Sequence, residues 1–168
     1  PDSPELKADI DRLAADSNTF RETWQGRLSE IDGAAFGQAI RDFEVLTEIT
    51  GRIMSYAQLL HAGNVSDPEI GRFYQTLQER ITDISTATLF FTLEVNRLSE
   101  SQMADLLKDP ATAHYEPWLR DLRAFREHQL DDEMERLLHE LDVTGRSSWV
   151  RLFDETMADM RFPLGDEE

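Results

Sequence analysis

The sequence predicts an all-α protein: a long antiparallel helical hairpin, with additional shorter helices completing a helical bundle. Three observations carry this prediction. Proline and glycine are few, at 6 and 8 of 168 residues. Leu, Ala, Glu, Arg and Gln abound instead, side chains that lose little freedom in a helix, and β-alternating runs are almost lacking. In the middle of the chain, apolar positions recur in steps of three and four over two long stretches, the seam of a coiled-coil-like pair. The stretch between them, "GNVSDPEI", is short enough to force the two helices side by side.

In chain order, "SPELKADIDRLAADSNTFRETWQG" reads as a first helix, with Ser3 as cap, Pro4 in its first position, and Leu6, Ile10, Leu13, Phe20 and Trp24 as its buried stripe. The first arm of the hairpin runs from about residue 32 to 62 on Ala39, Phe43, Leu46, Thr50, Ile53, Ala57 and Leu60. The second runs from about 68 to 99 on Phe73, Leu77, Ile81, Ile84, Thr88, Phe91, Val95 and Leu98. About 30 residues at a rise of 1.5 Å make each arm roughly 45 Å long. Between them, Gly63 or Asn64 suits a left-handed C-cap, Ser66 or Asp67 an N-cap, and Pro68 the first turn of the next helix.

The remainder divides at Ser, Asp and Pro starts into four shorter helices: "SESQMADLLKD", "PATAHYEPWLRDLRAFREH", "DDEMERLLHEL" and "SSWVRLFDETMADMRF". The last gathers Trp149, Leu152, Phe153, Thr156, Met157 and Met160 on one broad face. The closing "FPLGDEE" reads as leading into a further segment. One helical lobe over 1–168 is therefore expected, with the hairpin at about 32–99 and shorter helices at about 100–162. A chain of this length buries roughly 70% of its unfolded surface.

Charge narrows the function. Acidic residues number 34 against 17 basic, for a net charge of −17. Such a field repels phosphate backbones and anionic lipid, which argues against nucleic-acid and membrane partners. Apolar residues at 40%, with three tryptophans, speak for a folded core and not an acidic tail. The chain has no cysteine, which rules out disulfides and thiolate-ligated zinc and permits a reducing compartment. No apolar run approaches the roughly 18 residues that span a bilayer; "ATLFF" comes nearest and is short. The start has neither the basic nor the apolar region of a signal peptide, so a cytoplasmic location is expected. It also lacks an initiator methionine, as expected of a piece of a longer chain.

Motifs with chemistry are sparse. His139-Glu140 in "LLHELDV" matches the first half of HExxH, in which two histidines one turn apart hold zinc and the glutamate acts as base. The second histidine position is Val143, which cannot ligate, so the half-motif is a coincidence. Glu135 and His139 are spaced for a weak surface ion pair. A carboxylate-bridged di-iron site needs Glu-x-x-His pairs. Three residues before His61, His114, His128 and His139 stand Gln58, Ala111, Phe125 and Arg136, none acidic. There is no nucleophile elbow and no glycine-rich phosphate loop. Asn64-Val65-Ser66 matches a glycosylation acceptor but reads better as helix linker. The run "REHQLDDEMERLLHE" reads as a solvated helix face. No catalytic, cofactor-binding or metal-ligating residue is assigned in 1–168.

Several stretches together nevertheless resemble a known family. "FEVLTEITGRIMSYAQLLHAGNVSDPE", "LFFTLEVNRL", "HYEPWLRDLRAFREHQL" and "ERLLHELDVTGRSSWVRLFDET", in this order, are similar to the N-terminal region of the oligoendopeptidase F family, bacterial zinc metallopeptidases related to thimet oligopeptidase. The pairing of "WLRDLR" with "VTGRSSWVRLFDE" is the most specific part, and Glu127 is a departure where family members often carry proline. The resemblance implies a non-catalytic lobe that walls or gates a channel for short peptides, with HExxH and the zinc far downstream and none of the ligands in this chain. The implied partners are the catalytic domain of the same polypeptide and the short peptide substrates. A lobe without its catalytic partner is expected to expose apolar surface and to self-associate. The alternative is a stand-alone acidic helical interaction module built on the paired seams.

Overall fold

A computed structural model describes residues 3–162, and among them every regular element is helical. Helix α1 (Pro4–Trp24) opens as the sequence predicts, with Leu6 N–H donating to Ser3 Oγ and proline in the first turn. Its buried positions are Ile10, Leu13, Ser17 and Phe20. A turn over 25–31 follows, with Gly26 at φ 76°, the one positive φ among the described residues, and Leu28 plugged into the core. Gly26 N–H donates to Glu94 Oε1 at 2.7 Å, tying this turn to a distant helix.

Helix α2 (Gly33–Gly63) is the first hairpin arm, capped by Asp32, whose carboxylate accepts from Ala35 N–H at 2.9 Å. Beyond the turn at 64–67, Asp67 caps α3 (Pro68–Thr86) by accepting from Glu69 N–H at 2.9 Å and Ile70 N–H at 3.3 Å. The left-handed C-cap expected at Gly63 or Asn64 is not formed. Asn64 closes α2 at φ −156°, ψ 77°, and its N–H donates to His61 O.

The expected second arm is interrupted. Helix α3 ends at Thr86, and α4 (Leu89–Arg97) begins after a tight turn in which Thr88 N–H donates to Ser85 O at 2.9 Å. The cause lies in "TDISTAT". Hydroxyls of Ser85 and Thr86 donate to Thr82 O at 3.0 and 2.9 Å, and that of Thr88 to Ser85 O at 2.9 Å. Such back-bonding competes with the main-chain ladder and bends helices. The apolar seam survives the break, since Leu77 and Ile81 before it and Phe91, Val95 and Leu98 after it are all buried.

The centre of the core is aromatic. Phe43 meets Phe91 at 4.8 Å between ring centroids, Phe20 meets Phe91 edge-on at 5.3 Å, and Trp118 closes on Phe43 at 6.2 Å. Such pairs add about 0.5–1.5 kcal/mol each beyond the area they bury.

Short helices wrap this core: α5 (Glu100–Leu106), α6 (Pro110–Ala113) and α7 (Glu116–Arg123). Ser99 and Gln102 form a capping box for α5, and Asp109 caps α6. Helix α6 sits directly on the start of α2, where Thr112 Oγ1 donates to Gly33 O at 2.6 Å. A Cβ on Gly37 would lie 2.7 Å from the Ala111 backbone, so this approach requires glycine.

The stretch 110–128, expected as one helix, is three pieces: α6, α7 and a single 3-10 turn at Arg126–His128. Pro117 cannot donate to the carbonyl one turn back, so the ladder breaks at His114 and Tyr115. Buried Arg123 fastens α7 by donating to Val95 O at 2.7 Å and to Glu100 Oε1 at 3.0 Å. Helices α8 (Asp132–Leu141) and α9 (Arg146–Asp159) complete the order, and neither has a buried residue. The reading of 163–168 as leading into a further segment lies outside the described residues.

Candidate functional site

The four histidines do not converge. His139 Nε2 lies 2.9 Å from Ser85 Oγ and so docks α8 on the end of α3. Glu135 accepts from Leu130 N–H at 2.8 Å instead of pairing with His139, and Glu140 faces Arg136 at 3.8 Å. His114 packs edge-on against Tyr115 at 5.1 Å, and His128 lies in the 3-10 turn. His61 is at the far end of the hairpin, stacked on Tyr74 at 5.0 Å. Among the described residues, no three His, Asp or Glu side chains are grouped to hold a metal ion. These residues do not fit the zinc that the resemblance implies.

Charged groups elsewhere serve the fold. Glu100 takes Arg123 and Arg126 together, which holds its carboxyl below the ordinary glutamate value. Tyr115, raised by burial and by donating to Glu44 at 2.9 Å, links α2 to the start of α7. Arg97 and Asp132 join α4 to α8.

Two surfaces stand out among the described residues. The first is the outer side of α8 and α9. Large apolar side chains that stay exposed concentrate after residue 124, with Trp149 at 71% and Phe153 at 63% the most prominent on α9. The opposite side of α9 is polar and faces the hairpin. There Arg151 and Glu155 line a groove with Val65, Ser66 and Gly71. Helix α9 therefore rests on the bundle by its polar stripe and turns outward the face assembled from Trp149, Leu152, Phe153, Met157 and Met160. That is the reverse of the usual arrangement of an amphipathic surface helix.

The second surface is a pocket of about 510 Å³ where the end of α2, the first half of α3 and the start of α9 meet. Gln58, His61, Tyr74 and Gln78 line it from the hairpin, and Arg146, Ser147, Val150, Arg151 and Asp154 from α9. His61 is only 6% exposed, and neither ring nitrogen has a hydrogen-bond partner among the described residues. A sequence signal for its burial existed. The step of four from Ala57 along the seam lands on His61, beside Leu60. That α9 would close a pocket over it had none, because the pocket joins segments some 90 residues apart.

Fold and surfaces together define a helical domain that carries a large exposed apolar face. Residues 94–162 match the family model described as oligopeptidase F, for the N-terminal domain of a peptidase family. This bears out the resemblance drawn from the sequence, and the matched segment contains both α8 and α9. No curated protein and no solved structure matches the chain. No helix among the described residues is long and apolar enough to cross a membrane.

Proposed function

We propose that this chain is the non-catalytic N-terminal lobe of a zinc-dependent oligopeptidase, walling or gating the channel that admits short peptides. The parent protein would hydrolyse internal bonds of oligopeptides in the cytoplasm, using a metal-activated water held by residues outside this chain. The observation that supports this reading best is the coincidence of the oligopeptidase F match with the inverted helix. The segment that carries the match, 94–162, ends in a helix whose apolar side faces away from its own bundle. In a free-standing domain such a face is a liability. In a lobe it is the seat for the catalytic part of the same polypeptide.

The test begins by reading the coding frame past Glu168 for an HExxH helix with a third, glutamate ligand downstream. The longer protein, loaded with zinc, is then given internally quenched oligopeptides. Cleavage that a chelator abolishes supports the proposal, and intact peptides overturn it. A stop codon directly after Glu168 also overturns it and favours the stand-alone interaction module.

A further inference from the structure

Helices α8 and α9 both lack a buried residue, yet only α8 is fastened to the bundle by polar bonds. His139 Nε2 meets Ser85 Oγ at 2.9 Å, Asp132 pairs with Arg97, and just ahead of α8 Gln129 Nε2 donates to Leu93 O at 3.2 Å. Helix α9 has no counterpart to these. Among the described residues, no hydrogen bond or ion pair joins it to α1–α8. Its hydroxyls bond within the helix or to the turn before it. Ser147 Oγ donates to Asp142 Oδ2 at 2.7 Å, Ser148 Oγ to Val143 O at 2.6 Å and Thr156 Oγ1 to Leu152 O at 2.7 Å.

The groove beneath α9 repeats the pattern. Asp67 and Arg72 line it from the hairpin, and Arg151, Glu155 and Asp159 from α9, so opposite charges stand on facing walls. Yet Arg72 pairs with Glu69 on its own helix, Asp67 caps α3, and Arg151 approaches Glu155 one turn along α9. His61, in the pocket that Arg146, Ser147, Arg151 and Asp154 also line, receives no bond from any of them. Docking α9 thus gains neither a fully buried side chain nor a polar bond. Those are the two gains that make a local opening costly.

We infer that α9 is a strap that lifts from the hairpin end and redocks, pivoting at the 142–145 turn while α1–α8 stay folded. A Cβ on Gly145 would lie 2.9 Å from Leu141 O, so the docked corner is built on glycine. Once lifted, a helix of 14 residues is marginal in water, and its main-chain bonds open with it. The inference concerns this chain alone and does not need the peptidase reading. Where that reading also holds, the strap is the moving part of the gate, and it carries Trp149 and Phe153 with it.

The test uses the absence of cysteine, which allows two to be placed at will. Arg72→Cys and Asp159→Cys, both exposed on the shared groove, are joined by a short bis-maleimide. Hydrogen–deuterium exchange of the 168-residue chain, read by mass spectrometry at low micromolar concentration to keep copies apart, is then compared with and without the tether. Without it, amides of 150–159 should exchange roughly tenfold or more faster than those of α8, with α2 the slowest. The tether should slow exchange over 150–155 by about tenfold and leave α8 unchanged. Exchange in α9 as slow as in α8 overturns the inference. Fast exchange that the tether leaves untouched also overturns it, because α9 then frays in place. Either failure leaves the cleavage assay of the longer protein unaffected, so the two readings fail separately.

Discussion

Gly37 and Gly51 lie on the same helix and have opposite roles. A side chain at Gly37 would collide with the Ala111 backbone, whereas nothing lies within 4 Å of the Cβ position at Gly51. Gly37→Ala should therefore cost about 1–3 kcal/mol, the range of overpacking, while Gly51→Ala should add about 0.5–1 kcal/mol by removing backbone freedom from the unfolded chain. Chemical denaturation of the two variants checks both signs. Glu100 offers a test by pH. Arg123 and Arg126 lower its pKa in the folded state, so its contribution is full above the ordinary value of 4.5 and is lost as pH falls through the lower folded value. Glu100→Gln should lower the melting temperature at pH 7, and the gap to the parent should close in acid. Glu100 is largely exposed, so added salt should narrow the gap as well.

At the scale of elements, the caps mark where helices begin, and most were legible. Asp67→Ala should cost about 1 kcal/mol, measured by thermal melting, because two N–H groups of α3 lose their acceptor. The hairpin was legible for the same local reason: its stripe at steps of three and four is a property of each arm alone. The break at Ala87 and Thr88 was not. Periodicity runs through it undisturbed, and the competing hydroxyls of Ser85, Thr86 and Thr88 act on carbonyls and not on the apolar pattern. Helix α9 shows the converse. Its apolar face was read correctly from Trp149, Leu152 and Phe153, but an apolar stripe does not say which neighbour it meets. Here it meets none in the described chain, and Arg151 and Glu155 make the contact instead. The pocket at His61 depended on that choice and was out of reach.

Across the whole molecule, burial is uneven along the chain. The buried apolar core draws on residues from Ile10 to Leu119, and α8 and α9 add no fully buried residue to it. Trp149→Glu combined with Phe153→Glu should therefore leave the stability of this chain within about 0.5 kcal/mol of the parent, as surface changes do. The same variant should sediment as a monomer at concentrations where the parent self-associates. In the longer protein envisaged above it should abolish peptide cleavage, because the face would no longer seat its partner. A large loss of stability in the isolated chain would instead mean that α9 packs inward by its apolar side.

The outward face of α9 also makes the molecule's behaviour in solution a contest between two forces with different ranges. Repulsion between copies, set by a net charge of −17, reaches about 10 Å at 0.1 M salt and about 3 Å at 1 M. Attraction between exposed Trp149 and Phe153 acts only at contact, and common salts do little to weaken it. Raising ionic strength therefore removes the long-range term first, and the chain should pass from dispersed to associated on addition of sodium chloride and return on dialysis. Ionic strength would thus act as a reversible control on whether this lobe meets its own copies.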